Sequence, residues 1–217
     1  MKQTITVVAF GDSITQATHQ APAPAWTEIL GQKIQERFPD VIIKLINAGE
    51  GGNTTREGLR RIETDVLAHH PDFVCVEFGN DMTYEPDRQI PPEEYITNFE
   101  CIRTLVAERS KGRLIILTFP PIVDEWNKFF DHEFYKSRGG QDAWQEAYRK
   151  PLRVYAEKSK LPLVDIDKIL RKKMALHGPE EVILPDGVHI NARGNEVIAE
   201  SVLEVLAVEI EKFLNAK

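Results

Sequence analysis

Two hydrophobic rhythms alternate along the chain. Short β-rich runs, apolar at nearly every position, cover residues 5–10, 41–46, 73–78, 114–118 and the brief 163–165. Between them lie longer stretches in which apolar residues return every three or four positions, the helical period. These cover residues 26–38, 56–69, 93–107, 142–158 and 192–214. Punctuation supports the division. Pro39 ends the first helical stretch, His69-His70-Pro71 closes the second, and Pro120-Pro121 stops the fourth strand. Pro151 falls inside the fourth helical stretch, where its missing N–H predicts a kink or a break.

Strand–helix alternation implies parallel strands, because a crossover helix must return the chain to the same end of the sheet. Runs apolar on both faces imply a sheet covered on both sides. The expectation is one three-layer α/β/α domain over residues 1–217, with about five parallel strands. Such folds gather their chemistry outside the carboxyl ends of the strands.

Those ends carry unusual residues. The first strand halts on Gly11-Asp12-Ser13, the second runs into Asn47-Ala48-Gly49-Glu50-Gly51-Gly52-Asn53-Thr54, and the third ends at Gly79-Asn80-Asp81. Side by side, they would supply a hydroxyl, a glycine backbone and a side-chain amide to one crevice. Far downstream, Asp186 and His189 stand three apart in a turn before the last helix. A carboxylate accepting from imidazole Nδ1 leaves Nε2 free as a base. Ser13 is a weak nucleophile that needs such a base. No G-x-S-x-G surrounds Ser13, which excludes the nucleophile elbow of the α/β-hydrolases.

Four blocks in order, GDSIT from Gly11, GEGGNTT from Gly49, FGND from Phe78 and DGVH from Asp186, resemble the SGNH (GDSL) hydrolases. The resemblance spans nearly the whole chain. It implies a flavodoxin-like α/β/α fold and ester hydrolysis through an acyl-enzyme, with no metal and no organic cofactor. It also implies roles: Ser13 as nucleophile, His189 as base, Asp186 as its orienting carboxylate. The oxyanion donors would be Ser13, Gly52 and Asn80. The third block departs from the family's Gly-x-Asn-Asp: aligned on Asn80-Asp81, Phe78 stands at the glycine position.

Composition narrows the partners. A net charge of -7, with Arg171-Lys172-Lys173 as the densest basic run, argues against nucleic acid. No segment has the length and apolarity of a membrane span, and no signal peptide is evident, so a cytoplasmic location is expected. Cys75 and Cys101 read as buried free thiols of a reducing compartment. The expected partner is a small-molecule or carbohydrate ester, with a homo-oligomer left open. The substrate reading leans to acetyl groups on a sugar or other polar alcohol. The rivals are a flavodoxin-like module binding phosphate or nucleotide and a non-catalytic carbohydrate-binding relative.

Other residues receive plainer readings. Asp12 is expected to bond loop amides, Trp26 to pack in the core, and His19 to be an exposed loop histidine. His132 and His177 have no evident partner. Trp126, Phe129, Phe130, Phe134 and Tyr135 form either a satellite core under a loop or a lid or partner surface.

Overall fold

A computed structural model describes residues 2–19, 21–129 and 131–216. Five parallel strands, β1 (Thr4–Gly11), β2 (Ile42–Gly49), β3 (Phe73–Glu77), β4 (Arg113–Leu117) and β5 (Leu163–Val164), lie in the order β2-β1-β3-β4-β5. The helices are α1 (Ser13–Gln16), α2 (Trp26–Arg37), α3 (Thr55–Asp65), α4 (Pro92–Ser110), α5 (Glu133–Lys136), α6 (Gln141–Lys158), α7 (Ile166–His177) and α8 (Ala192–Asn215). On one side of the sheet α2 and α7 pack against α8; on the other α4 packs against α3 and α6. This is the three-layer architecture expected from the pattern.

β1 is buried along all but its first residue, and β3 throughout. The chain steps from β1 to β2 on one side and then returns across β1 to β3 on the other. That reversal opens a crevice at the carboxyl ends of β1 and β3. Ser13 and Asn80 follow those two strands directly.

The structure corrects several expectations. β2 is an edge strand whose exposure varies along its length, so it is not apolar and covered on both faces. Its outward amides are partly satisfied by side chains: Ile43 N–H donates to Gln35 Oε1 at 2.9 Å and Gly49 N–H to Asn47 Oδ1 at 2.9 Å. α6 continues through Pro151, held on either side by buried Tyr148, Arg149 and Leu152. α7 escaped the pattern because the basic run 171–173 interrupts its narrow apolar stripe, of which Ile166 and Leu170 are buried. Cys75 is buried, but Cys101 is exposed on α4, so only one of the two thiols is a core residue.

His132 has partners after all. Its Nδ1 accepts from Phe134 N–H at 3.3 Å, capping α5, and its ring lies 4.3 Å from that of Tyr84. Phe129 and Tyr135 also pack on Tyr84, while Phe134 meets Trp144. The described members of the aromatic stretch therefore join the main core, Tyr135 within it and Phe129 and Phe134 against it, while Trp126 is exposed. Phe130 lies outside the described residues. Among the described residues no helix is long and apolar enough to cross a membrane.

Candidate active site

Asp12 starts the site. Its Oδ1 accepts from Ile14 N–H at 3.0 Å and so caps α1, a single turn that presents Ser13 at its first position. Its Oδ2 reaches the next strand end, accepting from Gly79 N–H at 2.8 Å and from Asn80 Nδ2 at 3.0 Å. One buried carboxylate thus fixes Ser13 and Asn80 relative to each other. An amide nitrogen carries two hydrogens, so Asn80 retains a second donor.

The downstream half is a tight turn closed by Leu184 N–H to His189 O at 2.7 Å and by the Ile183–Ile190 bridge. Asp186 Oδ1 accepts from the N–H groups of Val188 and His189, both at 2.9 Å. Those two bonds bend the turn so that residues three apart bring their side chains together. Asp186 Oδ2 lies 2.6 Å from His189 Nδ1, and His189 Nε2 lies 3.0 Å from Ser13 Oγ. Burial pushes the Asp186 carboxyl up, but the His189 and Val188 N–H groups and the His189 ring outweigh it. The carboxyl sits below its ordinary value. An ionised Asp186 places the proton on Nδ1 and leaves Nε2 to accept from the Ser13 hydroxyl.

Asn195 and Trp26 tie the two halves. Trp26 is buried as expected; its backbone N–H donates to Asn195 Oδ1 at 3.0 Å and its indole N–H to Ile14 O at 3.1 Å. Asn195 Nδ2 in turn donates to the carbonyls of Ile190 and Asn191. The loop of Ser13 and the turn of His189 are joined through the first residue of α2.

The glycine loop is held by two arginines that the sequence reading passed over. Arg61, on α3, donates to Gly11 O and Ala48 O at 2.8 Å and to Asn53 Oδ1 at 2.7 Å, gripping two strand ends and the loop between. Arg88 donates to Gly52 O and to both oxygens of Glu57. Glu57 in turn accepts from Thr54 N–H at 2.7 Å, closing a capping box at the start of α3. Gly52 has φ +78°, a left-handed conformation that favours glycine, and the space its side chain would occupy is open. The backbone there can approach a substrate.

Phe78, which stands at the position of the family's glycine in the third block, is a core residue here. It is fully buried, edge-on to Phe10 at 5.2 Å. The need for a glycine falls instead on Gly79, where a β-carbon would overlap the ring of Phe119. Asn80 thus follows a glycine held tightly against Phe119.

Three carboxyls lie beneath this floor. Burial pushes Glu77 well up, and the neighbouring Asp12 pushes it further. Its Oε2 accepts from Thr15 Oγ1 at 3.1 Å, whereas Oε1 has no heteroatom donor. Asp81 accepts from Thr55 N–H at 3.0 Å and from the Thr55 hydroxyl, and burial lifts it to about 7. A carboxyl raised in the folded state adds stability at acid pH that drains away as pH rises from about 4 through 7. In Asp81→Asn this loss is absent. The melting temperature of the variant minus that of the wild type is expected to rise between pH 4 and pH 8. A constant difference would show that Asp81 does not titrate there.

His19 is exposed, as read from the sequence, yet it is not a bystander. Its ring stacks on that of His189, with centroids 3.5 Å apart and planes 14° from parallel. The hollow bordered by Ser13, His19 and His189 holds about 10 Å³. The larger hollows, about 560 Å³ between α4 and α6 and about 380 Å³ beside Trp126, border neither Ser13 nor His189.

A family description covers this arrangement: residues 9–197 match the GDSL-like lipase/acylhydrolase model, from the strand before Ser13 to the helix after His189. The chain belongs to the GDSL-like lipase/acylhydrolase family. It is accordingly a carboxylic ester hydrolase. Within this family, acetylxylan esterase from Geobacillus stearothermophilus is 26% identical over 218 residues, spanning 92% of this chain and 92% of its own. The lipoprotein YqeF of Bacillus subtilis (strain 168) is 28% identical over 220 residues, spanning 90% of this chain and 87% of its own. The crystal structure of LAE5, an alpha/beta hydrolase enzyme from the metagenome of Lake Arreo, Spain, superimposes with a TM-score of 0.75 at 26% identity. That match covers 94% of this chain and 96% of LAE5.

Proposed function

We propose that the protein is a serine esterase that removes small acyl groups, acetyl foremost, from a carbohydrate or other polar alcohol through an acyl-enzyme. The observation that carries this is the relay from Ser13 Oγ to His189 Nε2 at 3.0 Å and from His189 Nδ1 to Asp186 at 2.6 Å. Ser13 Oγ attacks the ester carbonyl carbon while its proton passes to His189 Nε2. The tetrahedral oxyanion lies among the Ser13 N–H, the Gly52 N–H and the free hydrogen of Asn80 Nδ2. The first N–H of a helix has no partner within it, which suits Ser13 to this task. Collapse expels the alcohol, which takes the proton from His189. Water then repeats the sequence on the acyl-enzyme and releases the acid.

The acetylxylan esterase relative supports a polar, sugar-borne alcohol. The free thiols of Cys75 and Cys101 support a cytoplasmic location.

A panel of acetylated xylo-oligosaccharides and p-nitrophenyl esters of rising chain length tests the substrate reading. kcat/KM is expected to be highest for acetyl and to fall beyond butyryl; a rise toward octanoyl would reject the short-acyl reading. Asn80→Ala is expected to lower kcat on the best of these substrates by ~100- to 1,000-fold, the usual cost of one lost oxyanion donor. Unchanged turnover would remove Asn80 from the oxyanion site.

A further inference from the structure

The mechanism leaves one contact unused. Asp186 and Ser13 hold the imidazole of His189 through its two nitrogens. Neither restrains the ring faces. One face is covered by His19, from the loop after α1, at 3.5 Å and nearly parallel. The charged groups around the pair, among the described residues, are Asp186 on the turn and Asp12 at the end of β1.

We propose that His19, as a neutral ring, is a positioning residue that clamps the face of His189 and favours the imidazolium formed when Ser13 gives up its proton. The proposal rests on His189 being the base. A neutral aromatic face attracts a cation above it, and it does so only once the charge has formed. The contact is therefore stronger in the transition state than at rest, which is what raises kcat rather than binding. The same contact becomes repulsive when His19 is itself protonated. The surroundings oppose that: burial of the stacked face, then the charge of His189, draw His19 below the ordinary histidine value, against a smaller pull from Asp186. The acidic limb of activity should accordingly include a proton taken up by His19.

Two variants test this alongside Ser13→Ala and His189→Ala controls. His19→Ala is expected to lower kcat by about 3- to 30-fold with KM within about twofold, from the usual strength of a cation over a ring. His19→Phe, which keeps a flat face but cannot titrate, is expected to recover most of that loss and to reduce the steep part of the acid limb to one proton. NMR titration of the ring signals supplies a readout independent of turnover. In the His189→Ala protein the His19 ring is expected to titrate at higher pH than in the wild type.

Wild-type kcat in His19→Ala, or a loss appearing in KM instead, would overturn the positioning role. Phenylalanine doing no better than alanine would overturn the stacked-face account. An unmoved His19 titration in His189→Ala would overturn the coupling. If the Ser13→Ala and His189→Ala controls retain full activity, the relay itself fails, an outcome distinct from failure at His19 alone.

Discussion

Ser13→Ala is expected to lower kcat on p-nitrophenyl acetate by ~10⁴- to 10⁶-fold, the range seen when a relay nucleophile is removed. The fold should not notice. Ser13 is a small residue whose hydroxyl contacts His189, while the capping of α1 belongs to Asp12. An unchanged melting temperature beside the lost activity would separate chemistry from structure. The residual rate reports what the oxyanion donors achieve unaided. A fluorophosphonate should add its mass to the wild type and not to the variant. Activity within tenfold of the wild type would exclude Ser13 as nucleophile.

The second large effect belongs to Asp186→Asn. The new side chain has nearly the same shape, and its oxygen can still accept from the Val188 and His189 N–H groups that shape the turn. Its NH₂ group then faces His189 Nδ1 and donates to it. That forces the ring proton to Nε2, pointing at Ser13, so the base is presented in the wrong tautomer. A loss of ~10⁴-fold in kcat is expected. The combination with Ser13→Ala should be no worse than Ser13→Ala alone, because members of one relay do not add. A fall of less than tenfold would mean that Asp186 only shapes the turn. Because the wild-type carboxyl is held below its ordinary value, its contribution to stability is present above the usual carboxylate range. That contribution is lost as pH falls through the folded value.

The alternation of strands and helices was readable because each central strand is apolar on both faces and each large helix has a clear buried stripe. The same logic failed where a segment lies at a margin. β2 has an open edge and mixes exposed with half-buried residues. α7 buries a narrow stripe under a basic surface. The residues of the relay were legible because turn-forming strand ends and a three-residue carboxylate–histidine spacing are local signals. Arg61, Arg88, Glu77 and the stack of His19 were not. Each acts across the fold, and an arginine bonding carbonyls 13 and 50 positions away leaves no periodic trace. Gly79 shows the intermediate case: the departure at Phe78 was visible, but the tightness at Gly79 depends on where Phe119 packs.

The side-chain bonds along β2 reach beyond the architecture of one molecule. In the parallel register with β1, residues 43, 45, 47 and 49 turn their amides away from the sheet. Two of those four are already occupied, by Gln35 and Asn47, and Lys44 adds an exposed charge on the same strand. Free edges recruit neighbouring chains into continuous sheets and aggregates; an occupied, charged edge does not offer that template. Crowded copies of this protein are thereby discouraged from zipping together along this border.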